Sequence, residues 1–347
     1  MLKGVLLLVL SGLATGVVGA QRELLVYTWP EYFDPGLLTA FSEEYQVNVR
    51  EIWYSSDNQK DSDFFLHYRD QIDIVVGAGQ LFHPYLKVNA LAPLPADLKV
   101  PALEPVIAKY HQELLKVALP FTWGTLGVAY RRDLMVAPVE RWVDVLRPSA
   151  ALKGKITMLS ESQDLFEIAR LTLGLLPDQT SQSDLRAIEN LLLAQHPYVN
   201  SYQYMDPSKH AGLVSGQVSV AAMYNGDALR LQEWSEQVDF VVPEEGSVLW
   251  VDFLVINAQA PNRSAAEDFI RFFARPEVSA RNAEYLHFAS PFQAASALIA
   301  DDIRNNPLVY PPAQVMSKLV VPPVPDAELK RFQNTLMMRL VQQLEKD

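Results

Sequence analysis

In two predicted strands, an aromatic residue and an acidic residue lie two positions apart. Trp29 and Glu31 lie two residues apart at the end of the apolar run "ELLVYTW", and Tyr32 follows. Alternate residues of a strand face the same side, so Trp29 and Glu31 can share a face at the sheet edge where ligands of open α/β sheets bind. A core tryptophan beside a surface glutamate explains this pair equally well.

The same spacing returns in "VLWVDFLVIN", where Asp252 follows Trp250 and interrupts an otherwise apolar run. An unpaired buried carboxylate is costly, so Asp252 needs a partner or a bound cation. A structural salt bridge to an arginine is the alternative, and we favour the bound cation. This is the strongest single signal in the sequence.

Two further groups are ambiguous when taken from the sequence alone. Glu161 and Asp164 lie three residues apart at a predicted helix start, where each acid stabilises the helix by about 0.3–1 kcal/mol without binding anything. Tyr224 ends the predicted strand "VSVAAMY" and can be an ordinary core residue. Together, however, separated acids and aromatic rings suit a linear polyamine, because rings attract cations by roughly 0.5–2 kcal/mol and pack on methylene chains.

Common enzyme motifs are missing from the sequence. "YHQELLK" lacks the HExxH spacing, "GLVSG" is not GxSxG, and "VVGAGQLF" lacks the third glycine of a dinucleotide loop. We therefore predict a protein that is not an enzyme and has no cofactor or metal. An enzyme with an unobvious carboxylate pair stays open, and a ferric-ion binder would need an adjacent tyrosine pair that the chain lacks.

The composition limits the class of protein. The 347 residues are enough for two domains or one large one, and 41 acidic against 29 basic residues give a net charge of −12. With no basic cluster, nucleic acid is not an expected partner, whereas acidity suits a cationic ligand or simply solubility. The absence of cysteine excludes disulfides, thiolate metal sites, cysteine nucleophiles and a lipid-modified amino-terminal cysteine.

The first twenty residues, "MLKGVLLLVLSGLATGVVGA", have the pattern of a secretory signal peptide. Lys3 precedes an apolar run, and small residues stand before a predicted cut between Ala20 and Gln21. The mature chain is expected to be exported and, with no cysteine, free of a lipid anchor. An uncleaved membrane anchor is the alternative.

Short apolar strands alternate with amphipathic helices, which predicts an α/β protein. Asp34 is expected to cap a helix that begins at Pro35, and a helix is expected to open at Ser160 with a Gln163 capping box. A further helix is expected between a cap at Asp206 and Gly216, and the last helix runs almost to the terminus. Two long apolar strands, near 121–131 and 248–257, suggest chain crossings between two lobes.

An ordered series of segments resembles the periplasmic spermidine/putrescine-binding proteins, the receptors of polyamine ABC transporters. It runs from residue 24 to about 312 as "LLVYTWPEYFDPGLLTAF", "DIVVGAGQLF", "PFTWGTLGVAY", "SESQDLFEIA", "VSVAAMYNGDA", "EEGSVLWVDFLVI", "RPEVSARNAEYLHFASP" and "LVYP". The resemblance implies a type II periplasmic-binding-protein fold with two α/β lobes joined by a hinge. We expect lobe 1 at 21–125 and 251–310, and lobe 2 at 126–250 and 311–347.

The resemblance also implies roles for individual residues. It makes Glu161 and Asp164 ligand-binding acids, which reverses their sequence-only interpretation. Tyr224 stands where the family has Trp, and Phe288 where it often has Tyr. The predicted ligand-binding set comprises Trp29, Glu31, Tyr32, Gln80, Glu161, Asp164, Tyr224, Trp250, Asp252 and Phe288.

Two departures from the family pattern bear on ligand choice. The family's hydroxyl and aromatic residue after the third strand are replaced by Ala78, Gly79 and Gln80, and a family glutamine near Pro322 has no equivalent. The implied partners are a polyamine and a membrane permease, and the chain is expected to be a monomer. The alternative is a periplasmic sensor that reports a polyamine to a membrane cyclic-di-GMP signalling protein controlling biofilm.

Overall fold

The computed structural model describes residues 22–110, 112–176 and 180–344. The predicted signal peptide, residues 1–20, lies outside this range. None of the helices within it combines the length and apolarity that a membrane crossing requires.

Strands and helices alternate along the chain, as the apolar pattern predicts. The strands are β1 (Arg22–Thr28), β2 (Val47–Trp53), β3 (Ile74–Ala78), β4 (Ala118–Arg131), β5 (Ile156–Met158), β6 (Val199–Tyr202), β7 (Val220–Tyr224), β8 (Val238–Val241), β9 (Ser247–Ile256) and β10 (Leu319–Val320). The helices are α1 (Pro35–Tyr45), α2 (Asp57–Asp63), α3 (His83–Lys87), α4 (Pro105–Lys109), α5 (Trp142–Leu146), α6 (Ser162–Thr172), α7 (Gln182–Gln195), α8 (Gly212–Ser215), α9 (Asn225–Trp234), α10 (Arg263–Phe273), α11 (Pro276–Leu286), α12 (Gln293–Ser296), α13 (Asp301–Arg304), α14 (Ala313–Met316) and α15 (Ala327–Leu344).

The long strands β4 and β9 lie side by side at the centre of the sheet. The strand order is β2-β1-β3-β9-β4-β7-β5-β6, with β10 beside β9 and β8 beside β4. β1 pairs in parallel with β2 and β3, and β5 pairs in parallel with β6 and β7. β4 and β9 run antiparallel to each other and to their outer neighbours β7 and β3. Two parallel groups are therefore joined through a buried antiparallel pair.

The sequence predicts some helix ends correctly and others wrongly. Asp34 caps α1 as expected, since its carboxylate accepts a hydrogen bond from the Gly36 amide at 2.7 Å. The helix expected to open at Ser160 instead begins at Ser162, with Glu161 at the cap position and no side-chain cap bond. The Gln163 amide donates to the Pro323 carbonyl at 3.0 Å. The expected capping box is therefore wrong, because its glutamine binds another segment.

The helix expected after Asp206 is also shorter than predicted. α8 begins only at Gly212 and ends, as expected, before Gly216, which adopts φ +79°. Residues 207–211 are not helical and include a turn at 209–210, and the Ser208 amide donates to the Asp206 carbonyl at 2.9 Å. Asp206 lines a cavity instead of capping a helix.

Candidate functional site

All ten side chains predicted as ligand-binding line one cavity of about 690 Å³. They come from the ends of β1, β3 and β7, from the start of α6, from the middle of β9 and from the segment after α11. The carboxyl ends of parallel strands meet at one edge of a sheet, which is where open α/β sheets bind ligands. The fold thus brings together residues that lie more than 250 positions apart in the chain.

Asp252 is the central carboxylate of one wall. It is buried in β9, and its Oδ2 accepts a hydrogen bond from the Tyr32 hydroxyl at 2.8 Å. Burial, followed by repulsion from Asp57, raises the pKa of Asp252 to about 7, while the Tyr32 hydrogen bond and the charge of Lys60 oppose that rise. Among the described residues it forms no salt bridge with an arginine, so the structural alternative raised from the sequence finds no support.

The opposite wall carries a second carboxylate held in the same way. Asp164 is buried on the first turn of α6, and its Oδ2 accepts a hydrogen bond from the Tyr224 hydroxyl at 2.8 Å. Burial raises the pKa of Asp164 to about 7, although the Tyr224 bond opposes the change. Burial also raises the pKa of the neighbouring Glu161, and the charges of Asp57 and Asp164 raise it further. A cation placed between the walls would relieve this repulsion.

Three aromatic rings form a wall beside these acids. The Trp250 and Phe288 ring centroids lie 4.7 Å apart at an interplanar angle of 85°, and those of Tyr224 and Trp250 lie 5.8 Å apart at 74°. Gly226 permits this packing, because a Cβ there would lie 2.5 Å from the Phe288 ring. The wall offers ring faces to cations and an apolar surface to methylene groups.

Trp29 and Glu31 both border the cavity, but not through a shared strand face. β1 ends at Thr28, and Glu31 adopts φ +54° in the turn that follows, so the alternation of a strand does not extend to it. Trp29 packs on Tyr54 with centroids 4.4 Å apart. The Glu31 side chain is 58% exposed, and its Oε2 accepts from the Arg230 guanidinium at 2.9 Å. Both partners of this ion pair line the cavity.

Two buried polar atoms of the cavity lack a hydrogen-bond partner within the described part of the chain. They are the Oε1 atom of Gln80 and the Nε1 atom of Trp250. Buried polar groups are nearly always satisfied, so each such atom calls for an explanation. Both atoms belong to side chains that line the cavity, so they are candidates for contact with a polar ligand.

The sequence analysis missed several charged groups of the cavity. The lining carboxylates are Glu31, Asp57, Asp61, Glu161, Asp164, Asp206, Asp227 and Asp252, against the cations Arg230 and Lys330. Asp227, at the start of α9, is buried, and burial raises its pKa to about 7 although Arg230 lowers it. The only sequence signal for Asp227 was an acid in the turn "NGDA" after the predicted strand "VSVAAMY". The excess of acids selects for a cation.

The described residues contain no group of three or more His, Cys, Asp or Glu side chains arranged to hold a metal ion. The aromatic wall beside the acids suits an organic cation, because ring faces attract cations and pack on methylene groups. The charged groups of such a cation would lie near Asp252 and near Asp164, with an apolar body between them.

Comparisons with known proteins agree with this architecture. Residues 40–311 match the family of bacterial extracellular solute-binding proteins. The chain is 29% identical to the putrescine-binding periplasmic protein of Pseudomonas aeruginosa, with 95% of each chain covered. It is 27% identical to the norspermidine sensor of Vibrio cholerae, over 92% of this chain and 88% of that one.

A solved structure also confirms the predicted fold. The spermidine/putrescine ABC transporter substrate-binding protein of Streptococcus pneumoniae superposes with a TM-score of 0.77 at 23% identity, covering 93% of this chain and 99% of that one. The type II periplasmic-binding-protein fold expected from the sequence is thus correct. The chain belongs to the family of bacterial extracellular solute-binding proteins.

Proposed function

We propose that this protein is a periplasmic polyamine-binding protein that closes two lobes on its ligand and delivers it to a membrane ABC transporter. One observation carries the proposal. Asp252 and Asp164 are two buried carboxylates, each held by a tyrosine hydroxyl at 2.8 Å and each facing one aromatic-walled cavity. The protein would bind and release its ligand without chemical change, and it would need no cofactor.

The electrostatics favour a ligand with separated ammonium groups. The pKa values of Asp252 and Asp164 are raised to about 7 mainly by burial. The protein's own cations therefore do not fully compensate the negative charge of either carboxylate. A bound ammonium would lower both pKa values, because an opposite charge stabilises the ionised form. The Trp250 ring and its neighbours would cover the methylene chain between the charges.

In the proposed closure, lobe 1 (21–125 and 251–310) and lobe 2 (126–250 and 311–347) come together around the ligand. Asp252 and Tyr32 then belong to lobe 1, and Asp164 and Tyr224 to lobe 2. A ligand that binds both half-sites stabilises the closed form over the open one. The Glu31–Arg230 ion pair, which joins the segment after β1 to α9, would form only when the lobes are close.

The partner and the location follow the same proposal. The mature chain would begin at Gln21 after export and act as a monomer in the periplasm, without a lipid anchor. Its closed form would engage the permease of an ABC transporter. The similarity to a norspermidine sensor over 92% of the chain supports a second candidate, in which the closed form engages the periplasmic domain of a membrane cyclic-di-GMP signalling protein.

Calorimetric titration of residues 21–347 tests the ligand class. Putrescine, cadaverine, spermidine, norspermidine and spermine form the panel, with 1-aminobutane and 1,4-butanediol as controls that lack one or both ammonium groups. We expect saturable one-to-one binding of at least one polyamine and no binding of the diol. Silence across the panel would contradict the proposed function.

The choice between transport and sensing needs a second experiment. The ligand-loaded protein, immobilised, is offered the permease and the sensor domain produced from the same genome. Ligand-dependent retention of the permease supports transport, and retention of the sensor domain alone supports signalling.

A further inference from the structure

A lysine ammonium is buried directly beneath the cavity. The Lys60 side chain, on α2, is 0% exposed, and its Nζ lies 2.7 Å from Asp57 Oδ1 and 3.7 Å from Asp61 Oδ1. A lysine is rarely buried unless it is paired. Both of its carboxylate partners line the cavity, so Lys60 acts on the ligand site from behind its surface.

The surroundings of Lys60 are those of a cation site. Its Nζ lies 5.8 Å from the Tyr54 ring centroid and 5.2 Å from that of Phe82, within the range of cation–π attraction. A Cβ on Gly77 would lie 2.8 Å from Nζ, so the absence of a side chain there makes room for the ammonium. Burial lowers the pKa of Lys60, but Asp57 and Asp61 raise it more, to about 12, and the group stays charged.

Lys60 divides the carboxylates of the cavity into two classes. Asp57 is paired by Lys60, and Asp61 is paired by both Lys60 and Lys330, whose Nζ lies 3.2 Å from Asp61 Oδ2. In contrast, three other lining carboxylates form no salt bridge among the described residues; they are Asp252, Asp164 and Glu161. Asp206 and Asp227 also lack a salt bridge among these residues, but Arg230 lowers the pKa of Asp227. Away from Arg230, the unpaired carboxylates thus stand at two places, at Asp252 and at Asp164 with Glu161.

Lys60 also acts on the free acids. Its charge lowers the pKa of Asp252 and that of Glu161, so it influences both walls. A third ammonium of a longer ligand would have to approach Asp57 or Asp61, where it would meet Lys60. One carboxylate balances only one positive charge, so a second ammonium at the same acid gains less attraction and is also repelled by Lys60, strongly so where water is excluded.

We propose that Lys60 is a resident cation that occupies the acids on the α2 side of the cavity and thereby restricts the ligand to two ammonium groups. This inference rests on the proposed polyamine function and deepens it to the choice among polyamines. The preferred ligand is a linear diamine, with one ammonium at Asp252 and the other at Asp164 and Glu161. Tri- and tetraamines are disfavoured by their additional charge.

Calorimetry on the full mature chain tests this assignment. The wild-type protein should bind putrescine or cadaverine at least about tenfold more tightly than spermidine and spermine, which is about 1.4 kcal/mol. Lys60→Gln keeps much of the side-chain length and can still donate to Asp57, but removes the charge. In this variant spermidine should gain at least about tenfold in affinity relative to putrescine.

Lys109→Gln is the matched control. Lys109 lies on α4 outside the cavity, with its Nζ 5.1 Å from the Tyr110 ring centroid, so the variant removes the same charge from a remote surface. Its preference among polyamines should equal that of the wild type. An equal shift in both variants would mean that overall charge, not the buried site, sets the preference, and would overturn the proposal.

Each remaining outcome also decides the question. Equal or tighter wild-type binding of spermidine or spermine than of any diamine overturns the proposal, as does an unchanged preference in a folded Lys60→Gln variant. If circular dichroism shows that the variant does not fold, the wild-type ratio decides alone. A wild type that binds no polyamine refutes the proposed function itself, which is a separate result.

Discussion

Replacing Asp252 by asparagine should separate ligand binding from folding. The introduced amide would keep an oxygen that accepts the Tyr32 hydrogen bond, which is 2.8 Å long in the wild type, and the side chain would keep nearly the same volume. The substitution removes a buried carboxylate that is repelled by Asp57, and burial raises the pKa of this carboxyl to about 7. The ligand-free variant should therefore be as stable as the wild type or more stable.

Ligand binding should respond in the opposite direction. Hydrogen bonds to charged groups contribute about 1.5–3 kcal/mol, against about 0.5–1.5 kcal/mol for neutral ones. Asp252 is buried, has no arginine partner among the described residues and would face an ammonium of the ligand. We therefore expect the binding free energy to weaken by about 2–3 kcal/mol, or roughly 30- to 150-fold in Kd. Loss of one aromatic ring should cost no more, since cation–π contributions are about 0.5–2 kcal/mol.

Thermal unfolding and calorimetry together test this prediction. At a ligand concentration of about 1,000 times the wild-type Kd, bound ligand stabilises the wild type by about 4.1 kcal/mol. A 100-fold weaker variant would gain only about 1.4 kcal/mol at the same concentration. Asp97→Asn is the control, because Asp97 is a largely exposed acid paired with Arg271 at 2.8 Å and does not line the cavity.

An unchanged Kd in Asp252→Asn would refute the assignment of this carboxylate as an ammonium site. A variant that loses both ligand binding and thermal stability would show that Asp252 acts through the fold instead.

Four further predictions concern pH, Tyr32 and the Glu31–Arg230 ion pair. Because the pKa of Asp252 is raised to about 7 and the bound form must be ionised, affinity should rise by roughly 90-fold for this group between pH 5 and pH 8, and a flat calorimetric profile would contradict this. The folded ligand-free protein then binds more protons than the unfolded chain between about pH 4 and 7, so its unfolding temperature should fall as the pH rises through that window. Tyr32→Phe removes a hydrogen bond that lowers the Asp252 pKa, so binding should weaken several-fold at pH 7 and recover by pH 9; an equal loss at both pH values would indicate a packing defect. Glu31→Gln should change the stability of the ligand-free protein by no more than about 1 kcal/mol, since the Glu31–Arg230 pair is partly exposed. The variant should nevertheless release ligand faster in stopped-flow measurements. An unchanged dissociation rate would show that the pair does not hold the lobes together.

A candidate site residue could be recognised in the sequence where its side chain does not suit its surroundings, such as an acid within an apolar strand. Asp252 stands out because an acid within an apolar strand has no inexpensive structural explanation. Asp34 and Pro35 mark a helix start with local chemistry alone, and the structure confirms it. Glu161 and Asp164 offered no such conflict, because acids at a helix start are explained by the helix dipole.

Other features depend on tertiary structure and could not be predicted from local pattern. Lys60 lies in the polar run "SSDNQKDSD", where a lysine three residues after an aspartate is typical of a solvated helix face. Its burial follows from the packing of α2 against the β3 segment at Gly77. Asp227 likewise resembles an ordinary first-turn acid until the fold places it beside Arg230.

A crystal structure of residues 21–347 with a saturating diamine would show directly whether Asp252 and Asp164 bind the ammonium groups. We expect one ammonium within about 3 Å of the Asp252 carboxylate, the other at Asp164 and Glu161, and the methylene chain against the Trp250 ring. A diamine bound outside this cavity, or bound within it without contact to Asp252, would contradict the account.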